Sequence, residues 1–126
     1  MKRLYSINYS NTFDAAHFLP GHPKCGRPHG HTWKVDISIS TYADGPLPSD
    51  GMIVDFGELK RIVKMYDHDL INENMDVPTA ENLAAEFLDA TISLLRQRHI
   101  DAQSVSVTVH ESEKSSVTLI DVEPCT

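Results

Sequence analysis

The chain has 126 residues, a length that predicts one domain with a modest hydrophobic core over residues 1–126. Its net charge of −7 argues against a nucleic-acid partner, which needs a basic face, but leaves room for a small anion held by local cations. No apolar run is long enough to span a membrane, and the first residues lack the apolar core of a signal peptide. We therefore expect a cytoplasmic protein with no membrane partner.

Two strands are predicted in the first third of the chain. Polar and apolar residues alternate over residues 5–13 and, more clearly, over residues 33–40. The turn-rich stretch ADGPLPSDG follows, and a short apolar run at residues 52–54 comes after it. This turn can join two strands of a hairpin.

Two helices are predicted in the middle of the chain. Asp55 and Glu58, three residues apart, are typical of a helix start, and apolar residues continue at helical spacing to Tyr66. After a polar, broken stretch, Thr79 begins the longest helix, which continues to about His99.

The last part of the chain predicts a second hairpin. Valines alternate with serine and threonine over residues 104–109, and residues 116–122 supply the partner strand. The full order is therefore ββααββ. It predicts an α+β fold in which an antiparallel four-stranded sheet carries two helices on one face.

Histidines cluster around the first two strands. His29 and His31 are two residues apart, so in an extended chain both imidazoles point to the same side. Gly30, between them, is expected to remove a side chain that would crowd the gap. His17 ends the first strand, and antiparallel pairing with the second strand would bring it to the same place.

Three histidines without a fourth protein ligand are typical of a catalytic zinc site, which keeps one coordination position open. An isolated His-x-His is most often a polar strand end, and it is His17 that favours the metal site. His22 is a rival ligand, but no strand fixes its loop. Cys25 has two interpretations that spacing does not separate: a zinc ligand, or a thiolate acting as base or nucleophile beside the metal.

The second cysteine, Cys125, stands next to last in the chain. A disulfide between Cys25 and Cys125 is not expected in a reducing compartment. We therefore interpret Cys125 as an incidental thiol.

Several motifs occur together over residues 11–112: FDAAHFLPGHPKCGRPHGH, DGMIVDFGELK, YDHDLIN, PTAEN and HES. Together they resemble the 6-pyruvoyltetrahydropterin synthase/6-carboxytetrahydropterin synthase family. Three residues separate Cys25 from His29. This interval resembles the bacterial 6-carboxytetrahydropterin branch, since the pyruvoyl branch typically has a longer one.

The resemblance implies a tunnelling fold, in which ββααββ subunits join their sheets into rings and two trimers stack into a homohexamer. It implies a zinc-dependent lyase acting on a small pterin, 7,8-dihydroneopterin triphosphate. The 6-carboxy branch forms 6-carboxy-5,6,7,8-tetrahydropterin, acetaldehyde and triphosphate, on the 7-deazaguanine route to queuosine. The alternatives are a 6-pyruvoyltetrahydropterin synthase-type triphosphate lyase and a non-catalytic zinc- or pterin-binding protein of the same fold.

The resemblance also implies roles for individual positions. Without it, Asp67 and His68 are interpreted as a solvated turn and Glu111 as an exposed strand end. Charge and position beside Cys25 make Lys24 and Arg27 candidate triphosphate contacts. The implied roles are zinc ligation by His17, His29 and His31, a catalytic thiol at Cys25, an acid–base pair at Asp67 and His68, and a pterin anchor at Glu111.

Overall fold

A computed structural model of the chain describes residues 3–43 and 47–122. Two short 3₁₀ helices, Lys64–Tyr66 and Ile71–Glu73, lie between the two α-helices. The predicted ββααββ order is confirmed. Cys125, interpreted above as an incidental thiol, lies outside the described residues. The main elements are β1 (Arg3–His17), β2 (His29–Ala43), α1 (Phe56–Val63), α2 (Ala80–Gln97), β3 (Ala102–Ser112) and β4 (Ser115–Asp121).

The four strands form one sheet in the order β1-β2-β3-β4, and every neighbouring pair is antiparallel. The β1–β2 ladder runs without a register shift from the pair Arg3 and Ala43 to the pair His17 and His29. The β3–β4 ladder shifts its register between His110 and Ser112. The first two strands are longer than predicted because the ladder extends through both of these ends.

The turn-rich stretch after β2 does not join two strands of a hairpin. Residues 52–54 form no strand, and the N–H of Met52 donates a hydrogen bond to the Asp50 carboxylate. The reason is topological. Because β2 already pairs with β1 on one side and β3 on the other, it has no free edge for a further strand.

Alternation along the strands divides the sheet into an apolar face and a polar face. Phe13, Trp33 and Phe87 pack together at the centre of the apolar face. The ring centroid of Phe13 lies 5.9 Å from that of Trp33 and 5.7 Å from that of Phe87. Both helices cover this face. The opposite face carries serine, threonine, asparagine and charged residues.

The helices begin where the sequence predicted. Asp55 accepts a hydrogen bond from the N–H of Gly57, and Thr79 accepts one from the N–H of Asn82. Glu58 does not complete a reciprocal cap; its carboxylate lies 2.6 Å from the guanidinium of Arg98 and joins the two helices. Among the described residues, no helix is both long and apolar enough to cross a membrane.

Candidate metal centre

The three predicted zinc ligands meet at one end of the sheet. His17 and His29 form the last pair of the β1–β2 ladder, and His31 lies two residues further along β2. Residues two apart on a strand share a face, so all three imidazoles project to the apolar side. The antiparallel pairing expected from the sequence is confirmed here.

The imidazoles lie close enough to share one ion. One ring nitrogen from each of the three histidines lies within 4.8 Å of the other two. The ring centroids are 4.6 Å apart for His17 and His29, 5.1 Å for His17 and His31, and 4.9 Å for His29 and His31. His17 is the innermost, with 1% of its surface exposed.

Main-chain carbonyl groups fix the tautomers of two of these rings. The Nδ1 atom of His17 lies 2.8 Å from the carbonyl oxygen of Pro78, and Nδ1 of His29 lies 2.7 Å from that of Arg27. A carbonyl oxygen only accepts hydrogen bonds, so Nδ1 carries the proton in both rings. In the neutral ring, Nε2 then carries the lone pair, and outer hydrogen bonds of this kind orient the histidine ligands of metals.

Two of the Nε2 atoms are buried without a partner. Among the described residues, Nε2 of His17 and Nε2 of His31 are the buried side-chain nitrogen or oxygen atoms that make no hydrogen bond. Burial lowers the pKa of His31, against the opposing effect of the Glu111 carboxylate, and the imidazoles of His17 and His29 lower it further. A neutral imidazole is the ligating form, and an unpartnered buried nitrogen is costly unless something binds it. The residues present therefore fit a zinc ion.

Two cavities meet at His31. The first, of about 520 Å³, is lined by residues of β1 and β2 and by His68. The second, of about 730 Å³, extends across β2 to β3 and is lined by Glu111. The two cavities thus place His68, from the segment bonded to β1, and Glu111, from β3, on either side of the same histidine.

Asp67 and His68 are tied to β1 rather than free in a turn. Nδ1 of His68 lies 3.0 Å from the Asp67 carboxylate, whose other oxygen accepts the N–H of Asp14 at 2.9 Å. The N–H of His68 donates to the carbonyl of Asp14 at 2.6 Å. The Asp14 N–H, and then His68, lower the pKa of Asp67. These bonds hold His68 at a φ of 65°, a strained conformation of the kind that clusters at functional sites.

The loop that carries Cys25 has a specific shape. Nδ1 of His22 accepts the N–H groups of Lys24 and Cys25, at 3.1 Å and 2.9 Å. A Cβ atom on Gly26 would lie 2.6 Å from the carbonyl oxygen of His22, so only glycine fits there. His22 therefore organises the loop, which agrees with its exclusion from the metal ligands.

The structure does not bring the sulfur of Cys25 into the metal centre. Cys25 is half-buried, its sulfur is outside the group of converging ligand atoms, and it lines neither of the two cavities at His31. Lys24 and Arg27 are exposed to solvent. Within one chain, the converging site residues are the three histidines, His68 and Glu111.

The expected role of Gly30 between His29 and His31 stays a prediction. Apart from these two chain neighbours, a Cβ atom at Gly30 would meet nothing within 4 Å. Gly30 lines both cavities. Its missing side chain keeps the space above the polar face open.

Three residues that shape the site were not predicted from the sequence: Asp14, Gly26 and Pro78. Asp14 and Pro78 act through main-chain groups, which leave no mark in side-chain chemistry. The glycine in the Gly-Arg-Pro turn was a usable signal, because turns that bring two backbones together often require glycine.

The fold and the site define a class: a tunnelling-fold protein with a candidate three-histidine metal centre. The family model described as 6-pyruvoyl tetrahydropterin synthase matches residues 6–121. The 6-carboxy-5,6,7,8-tetrahydropterin synthase of Bacillus subtilis is 32% identical over 122 residues, covering 88% of this chain and 82% of its own. A protein of Archaeoglobus fulgidus, which bears the same name provisionally, is 37% identical over 115 residues, or 88% of this chain and 93% of its own.

Solved structures agree on the fold. The structure of Caenorhabditis elegans 6-pyruvoyl tetrahydropterin synthase superposes with a TM-score of 0.67 at 20% identity, over 93% of this chain and 95% of that one. The chain belongs to the 6-pyruvoyl tetrahydropterin synthase family. It is therefore a member of a family of pterin synthases.

Proposed function

We propose that this protein is a zinc-dependent 6-carboxy-5,6,7,8-tetrahydropterin synthase. It converts 7,8-dihydroneopterin triphosphate to 6-carboxytetrahydropterin, acetaldehyde and triphosphate, in the cytoplasm and on the route to queuosine. The observation that carries the proposal is the convergence of three imidazoles, two of which, His17 and His31, bury an Nε2 atom that makes no hydrogen bond. The similarity of the chain to relatives named for the 6-carboxy product supports this product over the 6-pyruvoyl one.

His17, His29 and His31 would hold the zinc through Nε2. When bound in a site with three protein ligands, zinc offers a free coordination position to the substrate hydroxyls and lowers their pKa. The carbonyls of Pro78 and Arg27 keep two of the rings in the ligating tautomer throughout. This leaves the proton transfers to other side chains.

Glu111 would anchor the pterin ring. Its carboxylate lies 3.6 Å from Nε2 of His31, and a third of its side chain is exposed toward the second cavity. Two carboxylate oxygens match the paired donors of a pterin, the ring N–H and the adjacent amino group. Such a pair would fix the ring while its side chain extends toward the three histidines.

His68 and Asp67 would handle a proton. The imidazole of His68 lines the first cavity, and imidazole exchanges protons near neutral pH. The lowered pKa of Asp67 keeps its carboxylate ionised, so it accepts from Nδ1 of His68. Asp67 thereby orients the ring and stabilises its protonated form, as the third member of a catalytic triad does.

Cys25 would supply a second proton-transfer group, with Lys24 and Arg27 beside it to contact the triphosphate. Because this loop lies outside the cavities of its own chain, these roles require it to reach the site of a neighbouring subunit or to close over its own. The homohexamer implied by the family resemblance would allow the first arrangement. The edge strands β1 and β4 carry exposed apolar residues suited to such contacts, namely Leu4, Tyr5, Leu119 and Ile120.

The decisive assay is direct. Purified zinc-loaded protein is incubated with 7,8-dihydroneopterin triphosphate, and acetaldehyde and the mass of the pterin product are measured. We expect one acetaldehyde per pterin consumed. Triphosphate release without acetaldehyde would instead identify a 6-pyruvoyltetrahydropterin synthase-type lyase, and pterin binding without turnover would identify a non-catalytic protein.

A further inference from the structure

A hydrogen-bonded chain of three side chains crosses the polar face beside the metal centre. Ser10 on β1 donates to one carboxylate oxygen of Asp36 on β2, at 2.5 Å. The other carboxylate oxygen lies 2.8 Å from Nε2 of His110 on β3. These residues lie outside the groups proposed to bind zinc, anchor the pterin or transfer protons.

The chain of bonds fixes which nitrogen of His110 faces Asp36. Partial burial opposes ionisation of Asp36, but hydrogen bonds from Ser10 and His110, aided by Lys34, lower its pKa. An ionised carboxylate only accepts hydrogen bonds, so Nε2 of His110 carries the proton. In the neutral ring, Nδ1 is then an acceptor, and no group in the described part of the chain donates to it.

A β-bulge at Glu111 brings this residue to the same cavity as His110. The register of the β3–β4 ladder shifts between His110 and Ser112, which leaves Glu111 as the extra residue. Bulges redirect side chains, and here the consecutive residues His110 and Glu111 both line the cavity of about 730 Å³. His31 lines it as well, so this cavity joins the candidate metal centre to the candidate pterin anchor.

The groups facing His110 favour an acceptor role for its Nδ1. Lys34 lies directly opposite on β2 and Ser116 opposite on β4. The ammonium of Lys34 only donates, and it lies 3.9 Å from the Asp36 carboxylate. A 7,8-dihydropterin has more N–H donors than the two that one carboxylate can take, so it can use a further acceptor beside Glu111.

We propose that His110, held in place by Asp36 and Ser10, is a further substrate-contacting residue whose Nδ1 accepts a hydrogen bond from the bound pterin. This inference rests on the proposed pterin function. Glu111 and His110 would together recognise the donor groups of the heterocycle from adjacent positions of one bulge.

Two variants separate this role from a structural one. The side chain of His110→Gln places its amide where Nε2 stood, so it keeps a donor to Asp36 and loses the group at Nδ1. The side chain of His110→Asn does the reverse. Binding of 7,8-dihydroneopterin, which lacks the triphosphate, is measured by anaerobic calorimetry with zinc-loaded and zinc-free protein.

The proposal predicts that His110→Gln weakens binding by about 10-fold, the effect of one lost hydrogen bond, and that His110→Asn stays within about 3-fold of the parent protein. His110→Ala, which removes both groups, should match His110→Gln. Ser38→Ala is the matched control, because it removes a similar cross-strand bond to Asn8 on the same face. It should leave binding unchanged, and thermal unfolding checks that all variants fold.

Each result has a clear meaning. Parent-like binding by His110→Gln, or a loss in His110→Asn alone, would assign His110 a structural role and overturn the inference. If the parent protein itself binds no 7,8-dihydroneopterin, the proposed pterin function fails, and the inference fails with it. The variant comparison is therefore interpreted only against measured binding by the parent protein.

Discussion

The Nδ1 N–H of His17 donates a hydrogen bond to the carbonyl of Pro78, at 2.8 Å. This bond joins the innermost candidate ligand, at the end of β1, to the residue just before the N-cap of α2. The main chain just before α2 therefore fixes the orientation of the His17 ring in the candidate metal centre. His29, by comparison, is held by a carbonyl of its own loop.

This difference predicts distinct costs for losing each histidine. His17→Ala leaves the Pro78 carbonyl buried without a donor and should lower the free energy of unfolding of the zinc-free protein by about 1–3 kcal/mol. His29→Ala removes a more exposed ring and should cost less. Urea unfolding of the zinc-free variants measures both values, and equal costs would show that the bond to Pro78 contributes little.

Both variants should lose zinc, because two imidazoles do not make a stable site in this geometry. Metal content after dialysis measures the loss. His22→Ala is the matched control, since His22 is a neighbouring histidine whose Nδ1 is used by the loop. Full zinc occupancy in His29→Ala would refute the ligand assignment.

Cys25 should matter for turnover and not for zinc. We expect Cys25→Ala to retain its metal while turnover falls by about 100-fold or more, the usual contribution of a positioned proton-transfer group. Cys125→Ala, which removes the other cysteine, should leave turnover unchanged. Loss of zinc from Cys25→Ala would restore the alternative in which its sulfur is a ligand.

Asp67 should make the free energy of unfolding depend on pH in the acid range. Its pKa is lowered from 3.8 in the folded protein, so its ionised form stabilises the fold above the unfolded-state pKa, and this contribution is lost as the pH falls through the folded-state value. Asp67→Asn keeps an oxygen to accept the Asp14 N–H and loses the charge. The free energy of unfolding of this variant, measured across the acid range, should depend less on pH than that of the parent; an unchanged dependence would contradict the lowered pKa.

Two glycines near the histidines should respond in opposite ways to alanine. Gly26→Ala forces a Cβ against the His22 carbonyl, and we expect it to lower the free energy of unfolding by about 1–3 kcal/mol and to impair turnover. The Cβ of Gly30→Ala meets nothing within 4 Å apart from its two chain neighbours, so the protein should remain as stable as the parent. Its new methyl group narrows both cavities and should raise KM. Thermal unfolding and steady-state kinetics test the pair, and a stable Gly26→Ala would mean that the loop rearranges.

The sequence predicted those features that local patterns encode. Alternation located the strands, Asp55 and Thr79 marked both helix starts, and the antiparallel pairing that joins His17 to His29 followed from the strand ends. The hairpin that the turn after β2 could have formed is absent, because both edges of β2 are occupied by β1 and β3, which the sequence does not show. Contacts between distant residues left no local signal: Asp14 and Asp67 are 53 residues apart, and Asp36 and His110 are 74 apart.

The most direct test of the metal centre is a crystal structure of the zinc-loaded protein with anomalous diffraction at the zinc edge. We predict one anomalous peak per chain, about 2.0–2.1 Å from Nε2 of His17, His29 and His31, with no fourth protein ligand. An absence of density at the three histidines, or a peak enclosed by these nitrogens and the sulfur of Cys25, would contradict it.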